Sequence, residues 1–262
     1  MKRRVLLPAT LLLLLLLLTT IVRAESVSLI KIEGPIGPAT ASYVGRAIQE
    51  AGKASQCLVI QLDTPGGLLE STKNIVQEFY ASPVPIVVYV APAGATATSA
   101  GCFITLAADV AAMAPATTIG AAHPVELSST GGTESTTDST MKAKIENYAV
   151  SYIESIAEKR GRNVEWAKSA VKESASIPAD KAISLKVVDL KAADLSELLR
   201  ALDGREVNGR KLKTAGASVV EIKMSPREVV FQKLWRPEVM FLLMLIAMYG
   251  ICLLYTSPSP RD

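Results

Sequence analysis

The hydrophobic pattern in the first third of the chain predicts strands that alternate with helices. Apolar residues recur at helical spacing over residues 39–51, where Gly52 is expected to end the helix, and over residues 68–79. Apolar runs typical of β-strands flank these helices at residues 27–32 (VSLIKI), 57–62 (CLVIQL) and 84–90 (VPIVVYV). The second and third runs are nearly continuous, as in strands that are buried on both faces of a sheet. Strand, helix and strand at these lengths predict right-handed crossovers in an α/β fold.

After residue 140 the sequence predicts further helices and strands, and it ends in an apolar run. Residues 204–214 are polar and rich in turn formers, and residues 226–235 lead to an apolar run. Strands are predicted at residues 186–190 (KVVDL) and 218–224 (SVVEIKM). Helices are predicted at residues 141–160, 163–172, 178–185 and 195–202.

Residues 1–24 have the pattern of a signal peptide. Three basic residues precede a long leucine-rich run, and Val22 and Ala24 have the spacing of a signal-peptidase site. Cleavage there would make Glu25 the mature N-terminus, and the alternative is an uncleaved signal anchor, because the run is nearly long enough to span a membrane. Either interpretation places the following domain outside the cytoplasm.

The far end predicts the beginning of a transmembrane region. The apolar run 239–255 follows Trp235 and Arg236, which suit a membrane interface. The last residues, CLLYTSPSPRD, look like the translation of a sequencing adapter, so we expect the natural protein to continue past Ile251; a genuine polar tail is the alternative. The predicted division is a signal peptide (1–24), a main domain (25–203), a linker and juxtamembrane region (204–234), a transmembrane start (235–251) and a non-native tail (252–262).

Composition narrows the class of protein. The 262 residues carry a net charge of +3 and only 5% aromatic residues, which argues against a nucleic-acid partner. Cys57 and Cys102 lack metal-ligand spacing and are interpreted as buried free thiols, although a disulfide stays open without geometry. We find no phosphate loop and no metal cluster in the sequence, and we expect no cofactor.

Two turns rich in small residues carry the candidate chemistry. GATATSAG, residues 94–101, places Ser99 between small neighbours at a helix start, where free N–H groups favour an oxyanion; a plain helix cap is the alternative. Residues 63–67, DTPGG, follow a predicted strand, and paired glycines let the backbone present N–H groups to a ligand. Both turns are expected at one edge of the sheet, where α/β folds bind ligands.

These two turns, together with MAPATTIGAAHPV at residues 113–125, closely resemble the NfeD family of membrane-bound proteases. The resemblance covers about residues 25–200 and implies a ClpP/crotonase-like spiral of ββα units with a Ser-Lys dyad in place of a triad. It implies that Ser99 is the nucleophile, that the amides of Gly67 and Ala100 form the oxyanion hole, and that Lys144 is the base.

The helical pattern gives separate support for Lys144 over Lys142. Lys144 borders an apolar face that includes Ile145 and Tyr148, whereas Lys142 pairs with Glu146 on a more polar side. Apolar surroundings turn a lysine into a general base. A surface lysine that extends into solvent is the alternative.

His123, the only histidine, is the alternative base, because a histidine completes a triad in the wider ClpP group. The region that should supply an orienting aspartate has Glu173 and Ser174 instead, so a structural or pocket-lining role is preferred. Residues 126–140, rich in Ser, Thr and Gly, predict a mobile segment that is either a lid or a plain linker.

The leading hypothesis is a membrane-anchored serine endopeptidase with its catalytic domain on the extracytoplasmic side. The resemblance implies that it cleaves hydrophobic segments of partner membrane proteins such as stomatin-like proteins, and that it forms a homo-oligomer. Two alternatives remain: a crotonase-type acyl-CoA enzyme, which uses the same paired amides, and a non-catalytic scaffold that binds a stomatin-like membrane partner.

Overall fold

The computed structural model describes residues 25–124, 136–234 and 237–256. The predicted signal peptide and most of the predicted lid or linker lie outside these residues. Residues 136–140 of that segment belong to a helix, whereas the sequence predicted a mobile segment for them.

The described strands form one large sheet and two small ones. The strands are β1 (Ser26–Glu33), β2 (Ser55–Asp63), β3 (Ile86–Val90), β4 (Thr96–Thr98), β5 (Val110–Met113), β6 (Thr118–Gly120), β7 (Ser176–Pro178), β8 (Leu190–Lys191), β9 (Glu206–Val207), β10 (Arg210–Lys211) and β11 (Ser218–Glu221). The six-stranded sheet has the order β11-β1-β2-β3-β5-β8, and all its pairs are parallel. Strands β4, β6 and β7 form a three-stranded sheet, and β9 and β10 form a hairpin.

The described helices connect and cover these strands, which makes the domain an α/β structure with a parallel sheet. The helices are α1 (Pro38–Ala54), α2 (Leu69–Tyr80), α3 (Ala100–Ala107), α4 (Thr136–Lys159), α5 (Val164–Lys172), α6 (Ala179–Ser184), α7 (Leu195–Leu202), α8 (Pro226–Leu234) and α9 (Pro237–Thr256).

The apolar runs of the central strands are buried on both faces of the sheet, as the sequence predicted. Alternate side chains of β2 enter two separate clusters: Leu58 and Ile60 pack in one, Cys57 and Val59 in the other. Cys102 lies in the first cluster and both cysteines are free, so the open disulfide alternative is wrong for this pair. Burial raises the pKa of the Cys57 thiol to about 12.

Two predictions of where a helix ends and where a strand lies differ from the structure. Gly52 does not end α1; a Cβ atom there would lie 2.8 Å from Cγ of Pro83, so close packing explains this glycine. Only Leu190 of the predicted strand 186–190 pairs with β5, because Lys186 has a φ of 57° and the chain turns there.

Residues 204–234, predicted as a linker, pack as part of the domain. They contribute the β9-β10 hairpin, the edge strand β11 beside β1, and helix α8, which lies against α1. Ile222 joins the main core, and the hydroxyl of Tyr43 donates a hydrogen bond to its carbonyl. The strand predicted at residues 218–224 is present as Ser218–Glu221, but its pairing with β1 was not predicted.

Helix α9 is apolar enough to cross a membrane. Its window Glu238–Tyr255 has a mean hydropathy of 2.1, and none of it is buried against the rest of the protein. A helix of this length matches the hydrocarbon thickness of a bilayer. Helix α9 is therefore a candidate membrane-spanning helix by length and composition.

Candidate active site

The two glycine-rich turns meet at the carboxyl ends of β2 and β3, where the sequence placed them. The Thr64 amide donates to the Thr96 carbonyl (2.8 Å) and the Thr98 amide donates to the Thr64 carbonyl (3.1 Å). The Asp63 carboxylate also accepts a hydrogen bond from the Thr96 amide, at 2.9 Å. The DTPGG and GATATSAG turns therefore form one connected unit.

Ser99 occupies a strained position between β4 and α3. Its φ of 51° is rare for a residue with a side chain, and its amide donates to the Gly120 carbonyl at 3.1 Å. It immediately precedes α3, yet its side chain does not cap that helix. Within the described residues its hydroxyl has no hydrogen-bond partner, so the hydroxyl is available to a ligand.

Helix α3, which begins directly after Ser99, is anchored at its other end by two arginines. Arg162 donates hydrogen bonds to the carbonyls of Leu106 (3.0 Å) and Ala108 (3.0 Å), and Arg160 donates to that of Ala107 (2.7 Å). Cations at a helix C-terminus satisfy free carbonyls and oppose the negative end of the dipole. The direction of α3, and with it the position of Ser99, is thereby fixed.

The β1-α1 connection holds the DTPGG turn in place. The Ile36 amide donates to the Gly66 carbonyl (2.8 Å), and the Leu68 amide donates to the Ile36 carbonyl (2.9 Å). A Cβ atom on Gly67 would lie 2.1 Å from the Ile36 oxygen, so only glycine fits there. In the described structure neither the Gly67 nor the Ala100 amide donates a hydrogen bond to a protein acceptor. Both predicted oxyanion donors are therefore available.

A cavity of about 610 Å³ contains Ser99, Gly67 and Ala100 in its lining. Apolar groups dominate the walls, and His123 is the only ionisable side chain among the described lining residues. Phe103 forms part of the wall and stacks on Tyr152, with ring centroids 5.9 Å apart. Such a cavity suits an apolar segment more than a charged ligand.

Among the described residues, a backbone carbonyl and not a carboxylate orients His123. Its Nδ1 atom lies 2.9 Å from the Val171 oxygen. A carbonyl only accepts, so Nδ1 carries a proton and donates it to this bond, and Nε2 is the nitrogen that can accept in the corresponding neutral tautomer. Glu173 and Ser174, which sequence analysis considered for the orienting role, are both exposed.

Lys144 lies next to the cavity without lining it. Its neighbour Ile145 and Ala149, one turn further along α4, are both lining residues, which agrees with its predicted border position. The Lys144 side chain itself is exposed, so the described residues do not enclose it. Tyr148, predicted on the apolar face, is also exposed and stacks on Tyr152, at 6.0 Å.

Three contributors to this site are not evident from the sequence. Gly66 lies beside Ser99, Ile36 fixes Gly67, and the Val171 carbonyl orients His123. The paired glycines in the sequence were a signal for Gly66. Ile36 and Val171 act through backbone contacts with distant segments, and such contacts leave no pattern in the sequence. In the described ranges, no group of three His, Cys, Asp or Glu side chains could hold a metal ion.

Comparison with known proteins finds a matching family and relatives of this chain. The family model described as "NfeD1b, N-terminal domain" matches residues 26–208. Membrane-bound protease PH1510 of Pyrococcus horikoshii is 32% identical over 98% of this chain. The chain spans 58% of the length of that relative.

Two solved structures are similar over most of the chain. The first is a serine-to-alanine mutant of the 1510-N membrane-bound stomatin-specific protease, with a TM-score of 0.70 and 33% identity over 77% of this chain and 99% of that one. The second is a lysine-to-alanine mutant of the same protease in complex with a substrate peptide, with a TM-score of 0.72 and 31% identity over 80% of this chain and 98% of that one.

Proposed function

The chain belongs to the NfeD1b N-terminal-domain family, and on that premise we propose that it is a membrane-anchored serine endopeptidase. The observation that carries the proposal is the strained Ser99 in an apolar cavity shared with two unpaired backbone amides. Relatives whose names describe a protease, one of them mutated at a serine and one at a lysine, support it.

Acyl transfer to Ser99 would begin with attack of Oγ on a peptide carbonyl carbon. Lys144 accepts the hydroxyl proton, and the resulting oxyanion is held by the amides of Gly67 and Ala100. When the C–N bond breaks, Lys144 returns the proton to the leaving amine. A water molecule then hydrolyses the acyl-enzyme by the same route.

The choice of Lys144 as base rests on its place on α4. The residue that follows it lines the cavity that contains Ser99, so Lys144 lies at the border of that cavity. Catalytic hydrogen bonds are often long in unliganded enzymes and tighten with substrate. His123 is the competing base, because its Nε2 lone pair belongs to a ring that lines the same cavity.

The apolar lining supports hydrophobic segments as substrates, and the relative named as stomatin-specific supports a stomatin-like membrane partner. We further propose that the catalytic domain lies on the extracytoplasmic side, from the predicted signal peptide, and that the protein is a homo-oligomer. Along the chain, a strand of the large sheet is followed by a short strand or a single β-bridge and then by a helix. This order supports the ClpP/crotonase-like spiral of ββα units.

A serine-reactive phosphonate tests the proposal on the full chain in detergent micelles. Wild type should be labelled and should cleave a hydrophobic peptide, whereas Ser99→Ala should do neither. An unlabelled wild type that still binds a stomatin-like segment would favour the scaffold. Micromolar binding of an acyl-CoA by calorimetry would favour the crotonase-type enzyme, although no described lining residue is acidic, as that chemistry would require.

A further inference from the structure

Helix α8, immediately before the membrane segment, contacts the backbone that supports the predicted oxyanion hole. The Gln232 amide Nε2 donates a hydrogen bond to the Pro35 carbonyl at 3.0 Å. The Gln232 oxygen Oε1 accepts one from the hydroxyl of Thr40 at 3.2 Å. Thr40 is fully buried in the first turn of α1, so it holds Gln232 from a rigid element.

The contact continues from Pro35 into the active site through the backbone. Ile36, the next residue, donates to the Gly66 carbonyl and accepts from the Leu68 amide, and it leaves no room for a Cβ atom on Gly67. Pro35 and Ile36 themselves line the cavity. Movement of the Pro35 carbonyl is therefore transmitted to the Gly67 amide.

The helix that carries Gln232 is firmly docked. One turn earlier on the same face, the Glu228 carboxylate accepts hydrogen bonds from Nε (3.1 Å) and Nη2 (2.7 Å) of Arg46. Glu228 is 8% exposed, whereas Val230 on the opposite side of the helix is 56% exposed. A docked helix can impose a position on Pro35, which a loosely attached one could not.

We infer that Gln232 is a positioning residue, which sets the Gly67 amide of the oxyanion hole through Pro35 and Ile36. The inference rests on the proposed function for its catalytic meaning, but the mechanical link is independent of it. The juxtamembrane helix thus takes part in assembling the site and does not serve only as a connection to the membrane.

The test uses the full chain with Gln232→Leu and Gln232→Glu, and Val230→Ala as the control on the same helix. Both Gln232 variants lack the donor to Pro35, while the glutamate keeps an acceptor for Thr40. Each Gln232 variant should have a kcat about tenfold lower than wild type and a nearly unchanged KM. This fall in kcat is smaller than the fall caused by removing an oxyanion-hole donor itself. Phosphonate labelling should slow by the same factor, and the control should match wild type.

Hydrogen exchange provides a readout that needs no activity. The amides of Ile36 and Leu68 should exchange about tenfold faster in both Gln232 variants, with the melting temperature and distant amides unchanged. Unchanged exchange at these two amides in the Gln232 variants would overturn the inference, whatever the effect on kcat. If wild type is active and the variants have the same kcat, the inference is also overturned. If wild type neither cleaves peptide nor reacts with the phosphonate, the proposed peptidase function is refuted. The hydrogen-exchange rates of Ile36 and Leu68 would then by themselves decide whether Gln232 positions this backbone.

Discussion

A Cβ atom on Gly66 would lie 2.7 Å from Cβ of Ser99 and 3.1 Å from its Oγ. Carbon atoms that are not bonded make no such contact, so the DTPGG turn approaches the serine as closely as it does only because residue 66 has no side chain. Gly66 also has a φ of 128°, which residues with a side chain rarely adopt. The two turns are therefore mutually dependent in space.

Gly66→Ala should abolish peptide cleavage and phosphonate labelling, because the new methyl group displaces Ser99. Gly94→Ala is the matched control: Gly94 has a φ of 89°, but no atom lies within 4 Å of the place that a Cβ atom would take, so it isolates backbone strain. The control should lose about 1–3 kcal/mol of stability and keep most activity. An active Gly66→Ala variant would contradict the contact.

Lys144→Ala should reduce cleavage to about the level of Ser99→Ala, because members of a catalytic unit fail together. His123→Ala should retain most activity, since its ring is held by the Val171 carbonyl and not by a carboxylate. Lys142→Ala, two residues earlier on α4, is the control and should retain nearly all. An inactive His123→Ala beside an active Lys144→Ala would replace the dyad by a histidine base.

Glu228→Gln should lower the free energy of unfolding at pH 7 by about 2 kcal/mol, a usual value for hydrogen bonds to a charged group. The hydrogen bonds from Arg46 hold the pKa of the Glu228 carboxyl below its ordinary value. Its stabilisation is present above the unfolded pKa of about 4.3 and disappears as the pH falls through the lower folded pKa.

Melting curves from pH 7 to pH 3 should therefore show a smaller loss of stability for Glu228→Gln than for wild type. Glu50→Gln is the control, because Glu50 pairs with the same Arg46 but is 42% exposed in its side chain. Exposed pairs contribute about 0–1 kcal/mol. An equal effect of both substitutions would show that burial of Glu228 does not matter.

Arg162→Met should destabilise the domain by about 1–3 kcal/mol, the usual cost of leaving a buried acceptor without its hydrogen bond. The substitution leaves the carbonyls of Leu106 and Ala108 without their donor and removes the 3.0 Å pair with Asp189. Urea unfolding measures the loss, with the exposed Arg200→Met as control. Equal stability of the two variants would refute the anchoring of α3 by Arg162.

Local patterns in the sequence were sufficient for the elements that build the large sheet. The run 57–62 lies within β2, the helical spacing at residues 195–202 coincides with α7, and the small residues around Ser99 marked the start of α3. These features depend on period, burial and backbone freedom, which neighbouring residues encode. The family resemblance through the two turns and residues 113–125 was likewise readable from the chain and is confirmed.

Contacts between distant segments were decided only by the tertiary structure. No local pattern predicts that Gln232 reaches Pro35, that Val171 orients His123, or that residues 218–221 join the sheet beside β1. Gly52 was misread for the same reason, because the atom that requires a glycine there belongs to Pro83. The sequence by itself determined the long strands and helices that build the large sheet and the two turns beside Ser99, since those preferences are local. Ser99, Gly66 and Ile36 come together only in the tertiary structure, where the carboxyl ends of the parallel strands lie at one edge of the sheet. Backbone contacts across a sheet depend on the register of the strands and not on side-chain type.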